Sequence, residues 1–389
     1  MPPLLPRRRF LIASTQGVLA AALAPIGARR VDSPRLRESP RNGPEDFPAL
    51  QQLTTELMQR HTVPGVSLAL VKDGQIAWHC GLGVRDAASR APVDEHTVFE
   101  AASVSKTVFA WSVMQLSDRG VLTLDTPLTH YTPDRILAGD PRLERITARH
   151  VLSHTSGLPN FRSRAHPLRL QFTPGSRFSY SGEGYWYLQT VVTHLAGRVD
   201  AGRCGAYEAG LQVCASDIDT WLKRNVLAPL HMDDSTYVWN DRLERQSAGP
   251  HDASGKPLPL SRPTATDAAR YAAMGGLRTT ALDYARFLIG VLTPETPVPP
   301  GLSRQAREEM LRPQIRVDDT NSWALGWQIH RTPAGTLIQH EGGQTGFLAF
   351  TAASIERRSG YVMLTNSANG WKVFLDGRFV SLVNRILLT

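Results

Sequence analysis

The stretch 100–119, EAASVSKTVFAWSVMQLSDR, decides the reading of this chain. It is largely apolar and uninterrupted by Gly or Pro, which predicts a helix. Within it, Ser103-Val104-Ser105-Lys106 sets a hydroxyl three residues before an amine. Positions i and i+3 share a helix face, so the two side chains can touch. A serine hydroxyl alone is a poor nucleophile, and a neighbouring base activates it. In a first helical turn, Ser103 would also stand among free backbone N–H groups, where developing negative charge is favoured. Ser-x-x-Lys by itself is a weak signal, because a solvated helix start with a surface lysine produces the same letters. The rest of the chain has to decide.

Upstream, residues 47–60 show helical spacing through Leu50, Leu53 and Leu57. Pro64-Gly65 then opens an apolar strand over 66–71, and Asp73-Gly74 predicts a tight turn into a second strand over 75–78. Downstream, Gly120 ends the Ser103 helix and Asp125-Thr126-Pro127 begins a middle region of helices and loops. Thr147 can cap a helix running through Val151 and Leu152, and 184–196, 216–226 and 283–292 are further helices. Near Ser322 the texture changes. Residues 323–330, 336–340, 347–355 and 360–365 read as successive strands, and 371–388 as a closing amphipathic helix. Strands at both ends with helices between them imply an α+β fold of three α/β/α layers. It consists of an antiparallel sheet flanked by terminal helices, with a mostly helical region inserted.

At 389 residues, 42% apolar and 20% charged, the chain has ample material for a globular core. Its net charge of +8 does not imply a nucleic-acid partner, because five of those charges are arginines within the first 30 residues, which carry no acid. No basic run remains elsewhere that would bind phosphates. Arg7-Arg8-Arg9-Phe10-Leu11 precedes an apolar stretch, 10–24, too short for a membrane span. Ala22-Leu23-Ala24 and Gly27-Ala28 are cleavage candidates, and the pattern resembles a twin-arginine export signal over 1–28. Residues 29–46 read as a flexible linker, and 47–389 as the folded domain. Within that domain, about 47–98 and 322–389 supply the sheet and about 99–321 the helical part. Periplasmic or secreted localisation follows, with no stable span in the mature protein. Three cysteines suit an exported protein with at most one bridge: Cys204 and Cys214 are the plausible pair, and Cys80 stays free in a strand.

Two further segments join the Ser-x-x-Lys. Tyr180-Ser181-Gly182 lies between turn residues and a helix, where a tyrosine hydroxyl can face a cleft. His340-Glu341-Gly342-Gly343 ends a strand in two residues without side chains, which permits close approach of a ligand. The ordered set resembles the serine β-lactamase and penicillin-recognising hydrolase family. Within it, the chain is similar to class C β-lactamases, D-alanyl-D-alanine carboxypeptidases and related esterases and D-aminopeptidases. That family orders Ser-x-x-Lys, Tyr-x-Asn or Tyr-Ser-x, and Lys-Thr-Gly or His-x-Gly, which fall here at 103, 180 and 340. His154-Thr155-Ser156-Gly157-Leu158, Gly275-Gly276-Leu277 and Leu325-Gly326-Trp327 also match. The resemblance runs from about Leu50 to the C-terminus.

The resemblance implies a β-lactamase/transpeptidase-like fold and an acyl-enzyme on Ser103. Lys106 and Tyr180 would act together as base and then acid. The N–H groups of Ser103 and Gly343 would form an oxyanion hole. His340 would orient Tyr180 or bind a substrate carboxylate. No cofactor and no metal are implied, and the partner is a small-molecule or peptide substrate. A tyrosine near pKa 10 needs about 4 kcal/mol of anion stabilisation to serve as a neutral-pH base. Burial can instead deprotonate the lysine, and the pair would titrate together. Two departures, Gly182 in place of an asparagine and His340 in place of a lysine, favour the peptidase and esterase branches over an efficient β-lactamase. A charged His340 on a substrate carboxylate would make activity decline above about pH 7.

Plainer readings stand beside these. Tyr180 can be a packed aromatic with a satisfied hydroxyl, and Tyr185, Trp186 and Tyr187 helix packing. His154 reads as structural. His150 and His154 have i,i+4 spacing, but no His-Glu-x-x-His and no third ligand accompany them. Glu183 and Glu341 lie near the cleft and can be solvated carboxylates. The function expected is therefore an exported serine hydrolase cleaving an ester or amide, such as a peptidoglycan-type D-amino acid peptide. A β-lactamase proper, or a non-catalytic penicillin- or peptidoglycan-binding relative, are the alternatives. The sequence specifies no oligomeric state.

Overall fold

The computed structural model describes residues 46–389 apart from 133–134, 138, 163–165, 197–204, 207–211, 214, 264–270, 294–300, 334 and 389. The export segment, all but the last residue of the linker, and Cys204 and Cys214 lie outside the described residues. Cys80 is free and half-buried in a strand.

The N-terminal part supplies β1 (Gly65–Lys72) and β2 (Gln75–Gly83). Asp73 and Gly74 both have positive φ (51° and 76°), the geometry a two-residue hairpin demands. Two small pairs follow: β3 (Phe99–Glu100) with β6 (Arg278–Thr279), and β4 (Gly205–Ala206) with β5 (Gln212–Val213). The C-terminal part supplies β7 (Ile315–Arg316), β8 (Asn321–Trp323), β9 (Gln328–Thr332), β10 (Gly335–Gln344), β11 (Phe347–Ser354) and β12 (Ser359–Thr365). One eight-stranded antiparallel sheet results, in the order β2-β1-β12-β11-β10-β9-β8-β7.

Alternation along the central strands sends side chains to two separate cores. Leu68 and Leu70 pack with Leu50 and Leu57 of α1 (Asp46–His61) and with Phe379, Val383 and Ile386 of the C-terminal helix, Gly377–Leu388. Ala69 and Val71, with Val362 and Leu364, face the inserted region and meet Trp111, Leu188 and Phe287 there. Each large apolar side chain taken out of water on either face contributes roughly 1.5–3 kcal/mol. The layers are those expected of the α+β reading. Among the described residues no helix is long and apolar enough to cross a membrane.

Three elements start late or are interrupted relative to expectation. The predicted helix over 100–119 starts late: Phe99 and Glu100 pair with Thr279 and Arg278, Ala102–Val104 is a 3₁₀ turn, and α2 spans Ser105–Asp118. The predicted strand over 323–330 breaks at Gly326, whose φ is +89°. The closing helix is interrupted between Trp371–Phe374 and Gly377–Leu388. In each case a turn forced by tertiary contact or by glycine overrides an apolar run.

Candidate active site

Ser103 sits in the 3₁₀ turn that joins β3 to α2, not in the first turn of the α-helix. The preceding Ala102 has φ +46°, a conformation costly for alanine that the surrounding contacts must hold. Those contacts are visible. Ala101 donates its N–H to the carbonyl of Leu277, and Leu277 donates its N–H to Ser105 Oγ (2.9 and 3.0 Å). Ser105 Oγ in turn donates to the Ala102 carbonyl at 2.5 Å. The Gly275-Gly276-Leu277 segment is thus the brace of the Ser103 turn.

Lys106 stands one turn on, with only 1% of its surface exposed. Its Nζ lies 3.2 Å from Ser103 Oγ and 2.5 Å from the Met274 carbonyl oxygen. The Nζ also lies 5.0 Å from the centre of the Tyr180 ring and 5.5 Å from that of Tyr185. Among the described residues no carboxylate neutralises the amine, and burial pushes its pKa down to about 7. Near neutral pH a substantial fraction is therefore free amine.

Tyr180 enters from the loop before α4 (Gly182–Leu195), whose N-cap is Ser181. Its hydroxyl oxygen is buried beside the Ser103 hydroxyl. Burial pushes the phenol above its ordinary range, the neighbouring Ser103 hydroxyl pulls it down, and the Glu341 carboxylate pushes it up again. The phenolate is not the favoured form here, which reverses the lowering a Tyr180 base requires. His154 packs on Tyr180 with ring centres 4.1 Å apart, and its Nδ1 accepts from the Ser181 N–H at 3.0 Å. Because α3 (Ala148–Leu152) has ended before it, His154 does not share a helical face with His150. Among the described residues no group of His, Cys, Asp and Glu is placed to hold a metal.

His340 and Gly343 come from β10. From Leu337 to Gln344 this strand pairs with β11, but its pairing with β9 stops at Gln339, so the His340–Gln344 stretch has one free edge. That stretch passes so close to the Ser103 turn that a Cβ on Gly342 would lie 2.4 Å from the Ala101 carbonyl oxygen and 3.0 Å from Ser103 N. Glycine is the only residue that fits. Gly343 follows immediately, on the same free-edged stretch.

The expectation of a charged His340 needs correction. The ring is 2% exposed, and burial together with the Lys106 charge pushes its pKa down to about 3. Its Nδ1 donates to the Glu341 carbonyl at 2.7 Å, which fixes the tautomer and leaves Nε2 as a buried acceptor without a partner. A neutral buried imidazole gives a carboxylate no counter-charge. Trp323 closes this wall, with ring centres 5.8 Å from Tyr180, 5.5 Å from His340 and 4.9 Å from His154.

Gly182 leaves a space that other groups fill. A Cβ there would meet the Met274 methyl at 2.4 Å and the Asn160 carbonyl at 2.6 Å, while Asn160 Oδ1 accepts from the Gly182 N–H at 3.1 Å. Tyr185, Trp186 and Tyr187 are buried packing residues. Glu183 is no solvated carboxylate, because Arg162 clamps it with two guanidinium bonds of 3.0 and 2.7 Å. Sequence reasoning missed Met274, Asn160 and Trp323. Met274 acts through a backbone carbonyl, which no residue letter reveals.

The structure therefore brings Ser103, Lys106, Tyr180, His340 and the Gly342-Gly343 edge to one place, from three separate parts of the chain. Beside it lie buried His340 Nε2 and His154 Nε2, which have no hydrogen-bond partner among the described residues.

Comparison with known proteins agrees with this geometry. The family model described as Beta-lactamase matches residues 50–385. Penicillin-binding protein 4* of Bacillus subtilis (strain 168) is 23% identical over 352 residues, covering 82% of this chain and 71% of that protein. Protein flp of Staphylococcus aureus (strain MRSA252) is 23% identical over 336 residues, covering 81% of this chain and only 62% of that protein. Among solved structures, a class C beta-lactamase mutant superposes with a TM-score of 0.71 at 19% identity, covering 88% of this chain and 96% of the other. D-alanine carboxypeptidase AmpC from Burkholderia cenocepacia gives 0.69 at 20% identity, covering 87% and 99%. These likenesses establish a shared fold with penicillin-recognising proteins, and the family match spans nearly the whole described domain. The chain belongs to the Beta-lactamase family, among the β-lactamase and penicillin-binding-protein-like serine hydrolases.

Proposed function

We propose that this protein is an exported serine hydrolase that cleaves an ester or amide through an acyl-enzyme on Ser103. One observation carries the reading: a buried lysine of near-neutral pKa has its Nζ 3.2 Å from a serine hydroxyl. A general base is most effective when its pKa lies near the working pH and it reaches the proton it must take. The Met274 carbonyl takes one N–H of the amine and so directs the remaining valence of Nζ toward Ser103.

In the acylation step, Ser103 Oγ forms a bond to the substrate carbonyl carbon and its proton passes to Lys106. The carbonyl oxygen becomes an oxyanion facing the N–H groups of Ser103 and Gly343. As the tetrahedral intermediate collapses, the bond to the leaving group breaks and the leaving atom takes a proton from Tyr180. The Lys106 ammonium restores that proton to Tyr180. Water then attacks the acyl-enzyme, losing one proton to the same pair while Ser103 regains its own. In this division Tyr180 is a proton donor, which suits a phenol held neutral by burial. His340 is a neutral positioning residue beside it.

Gly182 in place of an asparagine and His340 in place of a lysine support the peptidase and esterase branches over an efficient β-lactamase. The arginine-led apolar segment at the N-terminus supports export. Hydrolysis of phenyl propionate tests the proposal. Wild-type protein is expected to release phenol catalytically and Ser103→Ala to lose at least about 10³-fold in kcat. Equal turnover by both proteins contradicts it, and ligand binding without turnover by either points to the non-catalytic relative.

A further inference from the structure

The glycines beside the reacting centre differ in one respect. At Gly182 the Met274 methyl holds the space a side chain would need, at Gly342 the Ala101 carbonyl oxygen does, and at Gly343 a Leu348 methyl. A Cβ would lie 2.4, 2.4 and 3.2 Å from these atoms, respectively. Gly275 is open. The nearest described atoms to a Cβ there would be the carbonyl carbon, carbonyl oxygen and Cα of Ala102, at 3.7, 3.8 and 4.0 Å. These are ordinary van der Waals distances. The backbone does not call for glycine either, since φ is 179°, outside the left-handed region. Glycine carries an entropic cost on folding, so its use without crowding or a left-handed turn points to the space it leaves.

That space lies along the nucleophile's own turn. Ala102 immediately precedes Ser103 in the 3₁₀ segment. Gly275 follows Met274, whose carbonyl oxygen accepts from Lys106 Nζ at 2.5 Å. Two residues on, Leu277 donates its N–H to Ser105 Oγ at 3.0 Å. Gly275 is thus pinned from both sides to the Ser103–Lys106 turn, and its missing side chain leaves a slot against that turn. The nearest wall of the slot carries no charge. Its polar atom, the Ala102 carbonyl oxygen, already accepts from Ser105 Oγ at 2.5 Å. An apolar group can cover such a wall without leaving a buried hydrogen-bonding group unmet.

Building on the serine-hydrolase reading, we propose that Gly275 is a specificity-determining residue, whose missing side chain leaves a slot beside Ser103 for a bulky apolar group next to the scissile carbonyl. The acyl part or the leaving group of an ester or amide can carry that bulk, and the chemistry recognised is the same. A side chain at position 275 would fill the slot and turn the bulky substrate away. Specificity of this kind is a difference of two affinities, so it is read as a ratio.

The experiment compares three esters at pH 8 on the full chain: phenyl acetate, phenyl phenylacetate (enlarged acyl group) and 2-naphthyl acetate (enlarged leaving group). After correction for uncatalysed rates, wild type is expected to hydrolyse at least one enlarged ester with a kcat/KM no lower than that for phenyl acetate. Gly275→Leu is expected to lower that enlarged-to-small ratio by at least about tenfold, and Gly275→Ala by about two- to fivefold. Damage to the Ser103 turn falls on all three esters and divides out of the ratio. A fall confined to phenyl phenylacetate assigns the slot to the acyl group, and one confined to 2-naphthyl acetate assigns it to the leaving group. Should Gly275→Leu fail to fold, Gly275→Ala decides by the same ratio. Rejection of both enlarged esters by wild type, or ratios that neither substitution moves, overturns the proposal. Absence of phenyl acetate hydrolysis that Ser103 controls overturns the serine-hydrolase reading itself, and this assignment with it.

Discussion

His154 grips Tyr180 from both sides. Its carbonyl oxygen accepts from the Ser179 N–H at 2.8 Å and its ring Nδ1 from the Ser181 N–H at 3.0 Å, so the residues on either side of Tyr180 are tied to one residue. His154 itself adopts φ +57°, and burial with the nearby Lys106 charge keeps its imidazole neutral, as an acceptor at Nδ1 must be. The His-Thr-Ser-Gly stretch is thus a positioning device for a hydroxyl supplied by another segment.

His154→Ala removes one of the two ties and opens a cavity under the ring. It is expected to cost about 2–4 kcal/mol of stability and about 10- to 100-fold in kcat, with a smaller change in KM. His154→Asn retains an acceptor and tolerates the left-handed backbone, so it should recover part of the kcat loss. Equal kcat in both variants, measured at a temperature where both are folded, would show the ties to be unimportant.

Lys106 titration gives a pH dependence of defined sign. The free amine is the proton acceptor and its pKa is about 7, so kcat/KM should rise through pH 7 and level off above about 8. This is opposite to the decline that a charged His340 would impose. Lys106→Arg, which cannot deprotonate, is expected to lose at least about 10³-fold.

The same shift has a consequence for stability. The unfolded lysine titrates near 10.5 and the folded one near 7, so between those values the unfolded chain holds more protons and stability rises with pH. Lys106→Met removes the cost of burying the charge. It is expected to be inactive but more stable than wild type, by on the order of 3–5 kcal/mol at pH 6, with the gap closing towards pH 10. Denaturation at the two pH values measures it.

Gly342 admits no side chain, since a Cβ there falls 2.4 Å from the Ala101 carbonyl. Gly342→Ala must displace either β10 or the Ser103 turn, and it is expected to lose about 100-fold in kcat while remaining folded. Near-normal activity would mean that the strand edge does not set the geometry of the nucleophile.

Arg278 and Glu100, each 8% exposed, form a buried pair across β3 and β6 just before the Ser103 turn. Arg278→Ala leaves a buried carboxylate without its partner and should destabilise by about 3–5 kcal/mol at pH 8. Burial already raises the Glu100 pKa, and losing Arg278 raises it further. The deficit should therefore shrink as pH falls and the carboxyl takes up a proton. Chemical denaturation at pH 8 and pH 5 distinguishes this from a simple packing loss.

Much of the molecule was legible in its residues. The Asp73-Gly74 hairpin, the Thr147 cap and the run of strands after Ser322 follow from local chemistry, and the observed sheet and layers agree with them. The three motifs also meet as expected, because Ser103, Lys106 and Tyr180 announce themselves by residue type. What was not legible depends on distant segments. The helix over 100–119 starts late because residues 277–279 claim the backbone at 99–101. The protonation states of Lys106, Tyr180 and His340 depend on how far the fold removes each from water. Met274 contributes only a peptide oxygen, which no residue letter announces.

The central claim is a covalent acyl-enzyme on Ser103, and mass spectrometry with a fluorophosphonate tests it most directly. Wild-type protein at pH 8 is predicted to gain one phosphonyl group, mapped by peptide digestion to Ser103, and Ser103→Ala to gain none. No adduct on folded wild-type protein, or an adduct that persists in Ser103→Ala, would contradict the account.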